Sequence, residues 1–436
     1  LKGEKMKKSI AISLLTCFVL GASDAFLQDG AKTEVMFKMM SIIDDKRNGF
    51  TPSNGSGYLV KLKYETADIL TKNLKIGAGA YVNGDAGLTE WDEGAAPKYN
   101  KPAYGMVVDV EGESKALLGE MYISYKNEYL SVKMGRQELD TPLTKIFVSL
   151  MPNFYEAYML KTDIFKDFKL TAGHIEKISF GSRAMADWGL IGEKTATAGV
   201  GLGGSGVLFE QAGGTLQQAK FYNIGVAAGK KSTDGRSLAG ITYSGIKNMQ
   251  VDFWLYHSYD IADDYYAELR YNIPIDENMK IKLSTQYLMQ KDTGDNLAGD
   301  IDFNMLGIKA AFDAKKWGVY AAYNKSGDKE GTKGQYFNAW GADPAYTSTL
   351  FSRNAYRSDV DAYKVGTYYM LMKNLKLMVD YANYGKSKTS VANNMTLFAT
   401  KDAYELDTIL AYKPSKEWML KIFNTRRLSE FDGYSF

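Results

Sequence analysis

Residues 57–66 alternate strictly, with Tyr58, Val60, Leu62 and Tyr64 on one face of an extended segment and Leu59, Lys61, Lys63 and Glu65 on the other. Successive side chains of a strand point to opposite faces, so one face suits hydrocarbon and the other water. Residues 279–290 repeat the pattern: Met279, Ile281, Leu283, Thr285, Tyr287 and Met289 oppose Lys280, Lys282, Ser284 and Gln286. Similar segments recur at 74–83, 117–126, 317–325, 363–369, 375–384, 406–413 and 418–425. Each is close to the roughly 10 residues with which a tilted strand crosses a bilayer. A soluble β-sandwich also alternates, but it would need shorter strands and a second packed sheet to cover so many apolar faces.

The connections separate the two readings. Short links at 127–128, 246–248, 273–278, 313–316, 372–374 and 414–417 alternate with long polar stretches at 44–56, 84–114, 176–236, 326–359 and 385–402. Outer-membrane barrels show this parity, with short inner turns and long outer loops, whereas the two longest stretches would be out of place in a compact soluble domain. The expected fold is therefore all-β, a transmembrane antiparallel β-barrel. Counting gives roughly seventeen strands, the last at 418–425, and a single-chain bacterial barrel needs an even number. Residues 426–433 read as an outer loop, so the expectation is about 18 strands with the last one, of roughly 10 residues, missing from this chain. Tyr434 and Phe436 imitate the terminal aromatics of such proteins and support the alternative, a chain that ends on its last strand.

Composition agrees with strands: 31 Tyr, 20 Phe and 42 Gly stand against only 8 Pro, and no run after residue 25 approaches the length of a spanning helix. The 53 basic and 51 acidic residues nearly cancel, which excludes an obvious nucleic-acid or other polyanion partner.

At the amino end, Met6-Lys7-Lys8-Ser9 precedes the apolar stretch 10–20, and Gly21-Ala22-Ser23-Asp24-Ala25 supplies small residues for cleavage after Ala25. This predicts residues 1–25 as upstream residues plus a cleavable export signal, and 26–436 as the barrel. A membrane anchor would need a longer apolar run. Cys17, the single cysteine, lies inside this stretch with apolar residues continuing past it, unlike a lipid-acceptor cysteine, so the exported chain has no thiol chemistry.

Between residues 118 and 154 the chain resembles a known family. Leu118-Gly119-Glu120-Met121-Tyr122, Gly135-Arg136-Gln137-Glu138-Leu139-Asp140-Thr141-Pro142-Leu143 and Met151-Pro152-Asn153-Phe154 are similar to core motifs of the Opr porins, the epsilon-class proteobacterial branch of the OprD-like outer-membrane family. Phe253-Trp254-Leu255-Tyr256-His257 with Asp260-Ile261 carries the same likeness. The resemblance implies an 18-stranded porin whose loop after Gly-Arg-Gln, here 138–153, folds inward and narrows the pore. It implies Glu138, Asp140, Thr141 and Ser149 as constriction residues. It also implies a row of basic lumen side chains that guides carboxylate-bearing solutes. Where the family tends to carry arginine before its Leu/Met-x-Pro turn, this chain has Ser149-Leu150-Met151-Pro152, so the row is expected to be thinner.

Read from alternation alone, the polar faces carry Lys61, Lys63, Lys75, Lys133, Arg270, Lys280, Lys282, Lys364, Lys376 and Lys421 against Glu65, Glu120, Glu268, Asp380, Glu405 and Asp407. A narrow lumen with excess positive charge favours anions; many of these lysines could equally solvate strand ends. Gln137 joins the pore-lining set. Strict alternation puts Arg136 on the lipid face with Leu130, Val132 and Met134, and a bulge at Gly135 is expected to return it to the lumen.

The remaining motifs are weak. The glycine-rich run at 199–206 lacks the buried strand of a nucleotide loop, the acidic stretch at 44–49 lacks EF-hand spacing, and His174 and His257 are too few for a metal cluster. No cofactor, metal or catalytic set is expected. The expected function is passive diffusion of small polar, carboxylate-bearing or otherwise anionic solutes through the outer membrane, as a monomer or homotrimer. The alternative is an adhesion barrel with a closed lumen. An enzyme would need a nucleophile and base, or paired carboxylates, that Glu405, Asp407, Asp263 and Asp264 do not supply.

Overall fold

The computed structural model describes residues 11–21, 29–44, 53–87, 89, 107, 114–146, 149–182, 219–228, 232–327, 336–338, 340–341, 343–350, 359–385, 403–428, 430–431 and 434–435. The cleavage point after Ala25, residues 45–49, the glycine-rich run at 199–206 and Phe436 lie outside these.

The strands in chain order are β1 (Ala11–Gly21), β2 (Lys32–Asp44), β3 (Ser53–Glu65), β4 (Leu74–Asp85), β5 (Lys115–Lys126), β6 (Leu130–Gln137), β7 (Phe154–Thr162), β8 (Phe168–Ser179), the two-residue β9 (Tyr222–Asn223), β10 (Arg236–Tyr243) and β11 (Met249–Ser258). They continue with β12 (Ala262–Pro274), β13 (Lys280–Asp292), β14 (Asp302–Asp313), β15 (Trp317–Ser326), β16 (Asp361–Met372), β17 (Leu375–Tyr384), β18 (Ala403–Tyr412) and β19 (Trp418–Leu428). A small hairpin of β20 (Glu430–Phe431) and β21 (Tyr434–Ser435) ends the described chain. Among the described residues eighteen long strands pair antiparallel, each with its neighbour in sequence; β8 meets β10, and β1 meets both β2 and β19. No described helix is long and apolar enough to cross a membrane.

Alternation decides which side faces where. On β3, Val60, Leu62 and Tyr64 are exposed, whereas Leu59 and Lys61 are buried. Among the strands whose side chains are described, the exposed side is mainly apolar, as hydrocarbon requires, and the inner side carries Lys61, Glu120, Asp252, Gln286 and Asp407. Trp317, Tyr369, Tyr412 and Trp418 stand exposed at the short-turn end. Toward the long-loop end, the rings of Tyr323 and Tyr363 lie 5.0 Å apart and those of Tyr381 and Tyr404 6.2 Å apart. These are the two aromatic girdles of a membrane barrel.

Two expectations fare differently here. In this structure the eighteenth position of the sheet, between β19 and β2, is filled by β1, the stretch that reads as the core of an export signal; its register runs Ala11↔Thr425 on one side and Gly21↔Glu34 on the other. A largely apolar stretch of eleven residues matches one spanning strand in length, so the same composition serves either role. The long-loop end also contains one tight connection, between β11 and β12 at 259–261, where Ile261 N donates to Ser258 O at 3.0 Å.

Candidate functional site

Two segments fold from the long-loop end into the barrel. The first follows β6: Thr141 and Thr144 share a hydroxyl contact of 2.7 Å, Thr144 N donates to Thr141 O, and Leu143 is fully buried. The second holds 336–338, 340–341 and 343–350, from the loop between β15 and β16. They meet inside the lumen, where Asn338 Nδ2 donates to Leu143 O at 3.1 Å. Tyr155, inward on β7, donates its hydroxyl to Thr144 O at 2.9 Å and also to Trp340 O, and so ties both segments to the wall.

The second segment is pinned by an ion pair. Arg236 Nη2 and Asp264 Oδ2 lie 2.8 Å apart with neither side chain exposed. The guanidinium is held between the rings of Tyr256 and Trp340, 4.8 and 4.5 Å from their centroids. Gln290 donates to Asp264 at 2.6 Å and exchanges hydrogen bonds with the backbone of Phe337 at 2.7 and 2.8 Å.

Below this seam a cavity of about 580 Å³ opens between the two segments and the wall. The first segment contributes Asp140, Thr141 and Lys145, the second Asp343, Tyr346 and Ser348, and the wall Asp252, Glu268, Arg270, Lys364, Asp380 and Asp407. Tyr346 donates to Glu268 at 2.7 Å, and burial together with that carboxylate keeps its phenol protonated far above the ordinary range.

Three cations of the wall fall on one line of register. Arg270 faces Ser284, Ser284 faces Lys309, Lys309 faces Ala322, and Ala322 faces Lys364. Alternate strands of a sheet lie roughly 10 Å apart, so the line presents a cation about every 10 Å. Arg270 pairs with Asp252, and Lys364 lies 3.8 Å from Asp380. Lys309 instead lies over the Tyr320 ring at 4.5 Å.

A second polar cluster covers β3–β6. Glu120, nearly unexposed, accepts from Tyr81 at 2.7 Å and lies in ion-pair reach of Lys61, Lys63 and Lys133. Lys61 also meets Glu34 at 3.0 Å, and Lys133 lies 3.7 Å from the Tyr122 ring centroid. Tyr81 reaches Glu138 at 3.1 Å. The surrounding protein and the nearby Glu120 raise the Glu138 carboxyl above the usual range.

The structure thus brings Lys61, Lys63, Glu120, Lys133 and Glu138 together, and Arg270, Lys364, Asp140 and Thr141 around the cavity. Gln137 points inward but spends its amide on Ala157 O at 2.9 Å. Ser149 bonds Ser182 at 3.1 Å, and its carbonyl accepts from Lys38. Lys282 pairs with Asp313, and Lys280 stands opposite Asp313 at the short-turn end. The basic excess expected of the lumen is largely offset, because most of these cations face carboxylates.

Arg136 is a correction. Gly135 has φ +115°, yet the β5–β6 register runs unbroken from Met121↔Arg136 to Lys126↔Ser131, so no residue is inserted and Arg136 keeps the outward parity of Met134. Near the strand end its charge is met by Glu156 at 3.0 Å, so the cost of facing hydrocarbon does not arise.

Sequence reading missed Lys309, Arg236, Asp264, Gln290 and the segment 336–350. Alternation on β14 is blurred because its inward face carries Phe303 and Met305, both buried in the apolar cluster that also holds Tyr336 and Phe337.

Residues 106–414 match the model of the outer membrane porin, OprD family. The chain belongs to the OprD family of outer-membrane porins. No curated protein matches it. Among solved structures it is similar to the outer membrane protein OpdK of Pseudomonas aeruginosa, with 13% identity, a TM-score of 0.62, and 97% of this chain and 99% of that chain covered. OccK9 (OpdG) of the same organism gives 13%, 0.64, 97% and 98%, and OccK8 (OprE) gives 14%, 0.61, 97% and 98%. The family places the barrel in the outer membrane with its lumen as a solute path, and the two segments fold into that lumen.

Proposed function

We propose that this porin passes small polar solutes bearing a carboxylate, handed along the line Arg270–Lys309–Lys364 beside the constriction. The observation that carries this reading is the register of those three side chains across five neighbouring strands. Fixed charges at regular spacing between low-dielectric walls hold an anion at several sites weakly, which favours transit over trapping. A solved structure of OpdK from Pseudomonas aeruginosa, 12% identical, is with vanillate, itself a carboxylate. The constriction residues Asp140 and Thr141, and Lys61, Lys63, Lys133 and Glu120 on the facing wall, would set the width and polarity of the path. We further infer export by a cleavable leader at residues 1–25.

Single-channel recording in a planar bilayer under a potassium chloride gradient tests the reading. Discrete open steps with a reversal potential toward chloride, reduced by added vanillate, are expected. Cation preference would overturn the carboxylate assignment and leave the pore. A folded barrel without conductance would turn the reading toward a surface-binding barrel.

A further inference from the structure

The short turns at the rim of the barrel do not share their charge evenly. Three of them follow one another around the sheet at 314–316, 373–374 and 413–417, joining β14 to β15, β16 to β17 and β18 to β19. They carry five exposed lysines, Lys315, Lys316, Lys373, Lys413 and Lys416, against the single carboxylate of Glu417. Glu417 accepts from the Ser415 hydroxyl at 2.6 Å and feels the charge of Lys413. Asp313, at the end of β14, faces the lumen and pairs with Lys282. Lys315, Lys316 and Lys373 have no carboxylate in ion-pair distance among the described residues.

The five turns between β3 and β13, at 66–73, 127–129, 163–167, 244–248 and 275–279, have the opposite sign. Asp68, Glu128, Asp163, Asp167, Asp276 and Glu277 stand there against Lys72, Lys166 and Lys247. Lysines at the ends of those strands, such as Lys161 and Lys280, share the inward parity of Ser131 and Lys282 and face the mouth of the lumen rather than the lipid. The cationic sector is bounded by Asp276 and Glu277 on one side and by Asp29, before β2, on the other. Successive hairpins stand about 10 Å apart, so the five lysines fall within roughly 20 Å of rim.

A groove of about 720 Å³ crosses the lipid-facing side of the same part of the sheet. Two small side chains make its floor, because Ala310 faces Ala321 across β14 and β15, and the line continues through Val365 to Tyr381. Phe312 and Val319 line it on the side of the turns. Ala310 lies five residues before Lys315, and Ala321 five after Lys316. Strands tilted about 40° therefore set the floor roughly 13 Å in from the tips. Between floor and tips, Trp317 and Tyr369 face each other outward, at the depth where aromatic side chains meet headgroups. The short turns of a bacterial outer-membrane barrel point to the periplasm. From the rim inward the sector is cationic, then aromatic, then an apolar trough, which is the order of the parts of a phospholipid.

We propose that this sector holds an anionic phospholipid of the periplasmic leaflet, with its phosphate on Lys315, Lys316 and Lys373 and an acyl chain in the groove. Ammonium groups without acidic partners favour a net-negative headgroup over a zwitterionic one. The full-length barrel in detergent micelles is titrated with equal amounts of phosphatidylglycerol and phosphatidylethanolamine of the same chains, and bound lipid is counted by native mass spectrometry. Phosphatidylglycerol is expected to be retained preferentially. Lys315→Gln/Lys316→Gln/Lys373→Gln should weaken its retention about tenfold or more. Lys72→Gln/Lys166→Gln/Lys247→Gln, the same loss of charge on the other turns, should leave it as it was. Ala310→Phe/Ala321→Phe, which fills the groove from the lipid side, should weaken retention of both lipids and serves if the lysine variant does not insert. Equal retention of the two lipids, parent-like retention in the lysine or the groove variant, or an equal loss in the control variant would overturn the proposal. Capture of soluble polyglutamate by the same three lysines, with no preference between the lipids, would overturn it in favour of an acidic protein partner.

Discussion

Gly341 lies so close to Leu143 that a Cβ added to it would stand 1.9 Å from the Leu143 carbonyl oxygen. The two inward segments touch backbone to backbone at this point, which only glycine permits. Gly341→Ala is expected to push the segments apart, raising single-channel conductance and lowering stability by about 1–3 kcal/mol, the usual cost of overpacking. Unchanged conductance in a folded variant would show that the contact does not limit the path.

The buried pair of Arg236 and Asp264 holds the second segment from behind. Asp264→Asn leaves the guanidinium buried without its counter-charge, which costs on the order of 3–5 kcal/mol. Denaturant unfolding should register that loss, and current traces should become noisier as 336–341 loosens from Gln290. A stable, quiet variant would mean that the Tyr155 and Asn338 contacts suffice.

Removing charge from the register line should move selectivity. Lys309→Gln and Lys364→Gln are each expected to lower the chloride-to-potassium permeability ratio about twofold or more, and the double variant further. Lys376→Gln, whose ammonium lies on the Tyr368 ring at 4.0 Å, is the comparison, expected to do less. Reversal potentials decide it.

Glu138 lies outside the strands, and its carboxyl is raised, first by burial and then by Glu120. A raised acid is neutral in the folded protein where it would already be ionised in the unfolded chain. Its ionisation therefore opposes folding: stability is fullest below the ordinary carboxylate range and falls as pH rises through the raised value. The lumen loses a negative charge on mild acidification, so anion preference should increase there. Glu138→Gln should remove that part of the pH dependence in both unfolding and reversal-potential measurements.

The mature amino terminus can be read from the intact mass of protein extracted from outer membranes. A terminus at Phe26 is expected, in which case Ala11–Gly21 is not part of the mature barrel. Retention of residues 11–21 would make β1 the closing strand and remove the leader from the reading.

Much of the barrel is legible in the chain because a membrane strand answers to two solvents at once. Lys61 and Lys63 against Val60 and Leu62, or Lys280 and Lys282 against Ile281 and Leu283, admit one orientation, since a slip of one residue would turn each lysine into hydrocarbon. The same rule sets Lys61, Lys63, Lys133, Arg270 and Lys364 on the face that carries Glu120, Asp252 and Asp380. It gave the wrong side for Arg136 only where a bulge at Gly135 was invoked to override it.

What the sequence determined by itself, then, was the strands, their facing and the parity of their connections, because period-two alternation is a local property of ten residues at a time. The tertiary structure alone decided how the two inward segments meet in the lumen. Arg236 and Asp264, Tyr155 and Trp340, or Gly341 and Leu143 come from loops and strands far apart in the chain, and no periodicity relates them. It also decided that most lumen cations face carboxylates. Those relations depend on which strands are neighbours and in what register, and that is fixed only when the sheet is assembled.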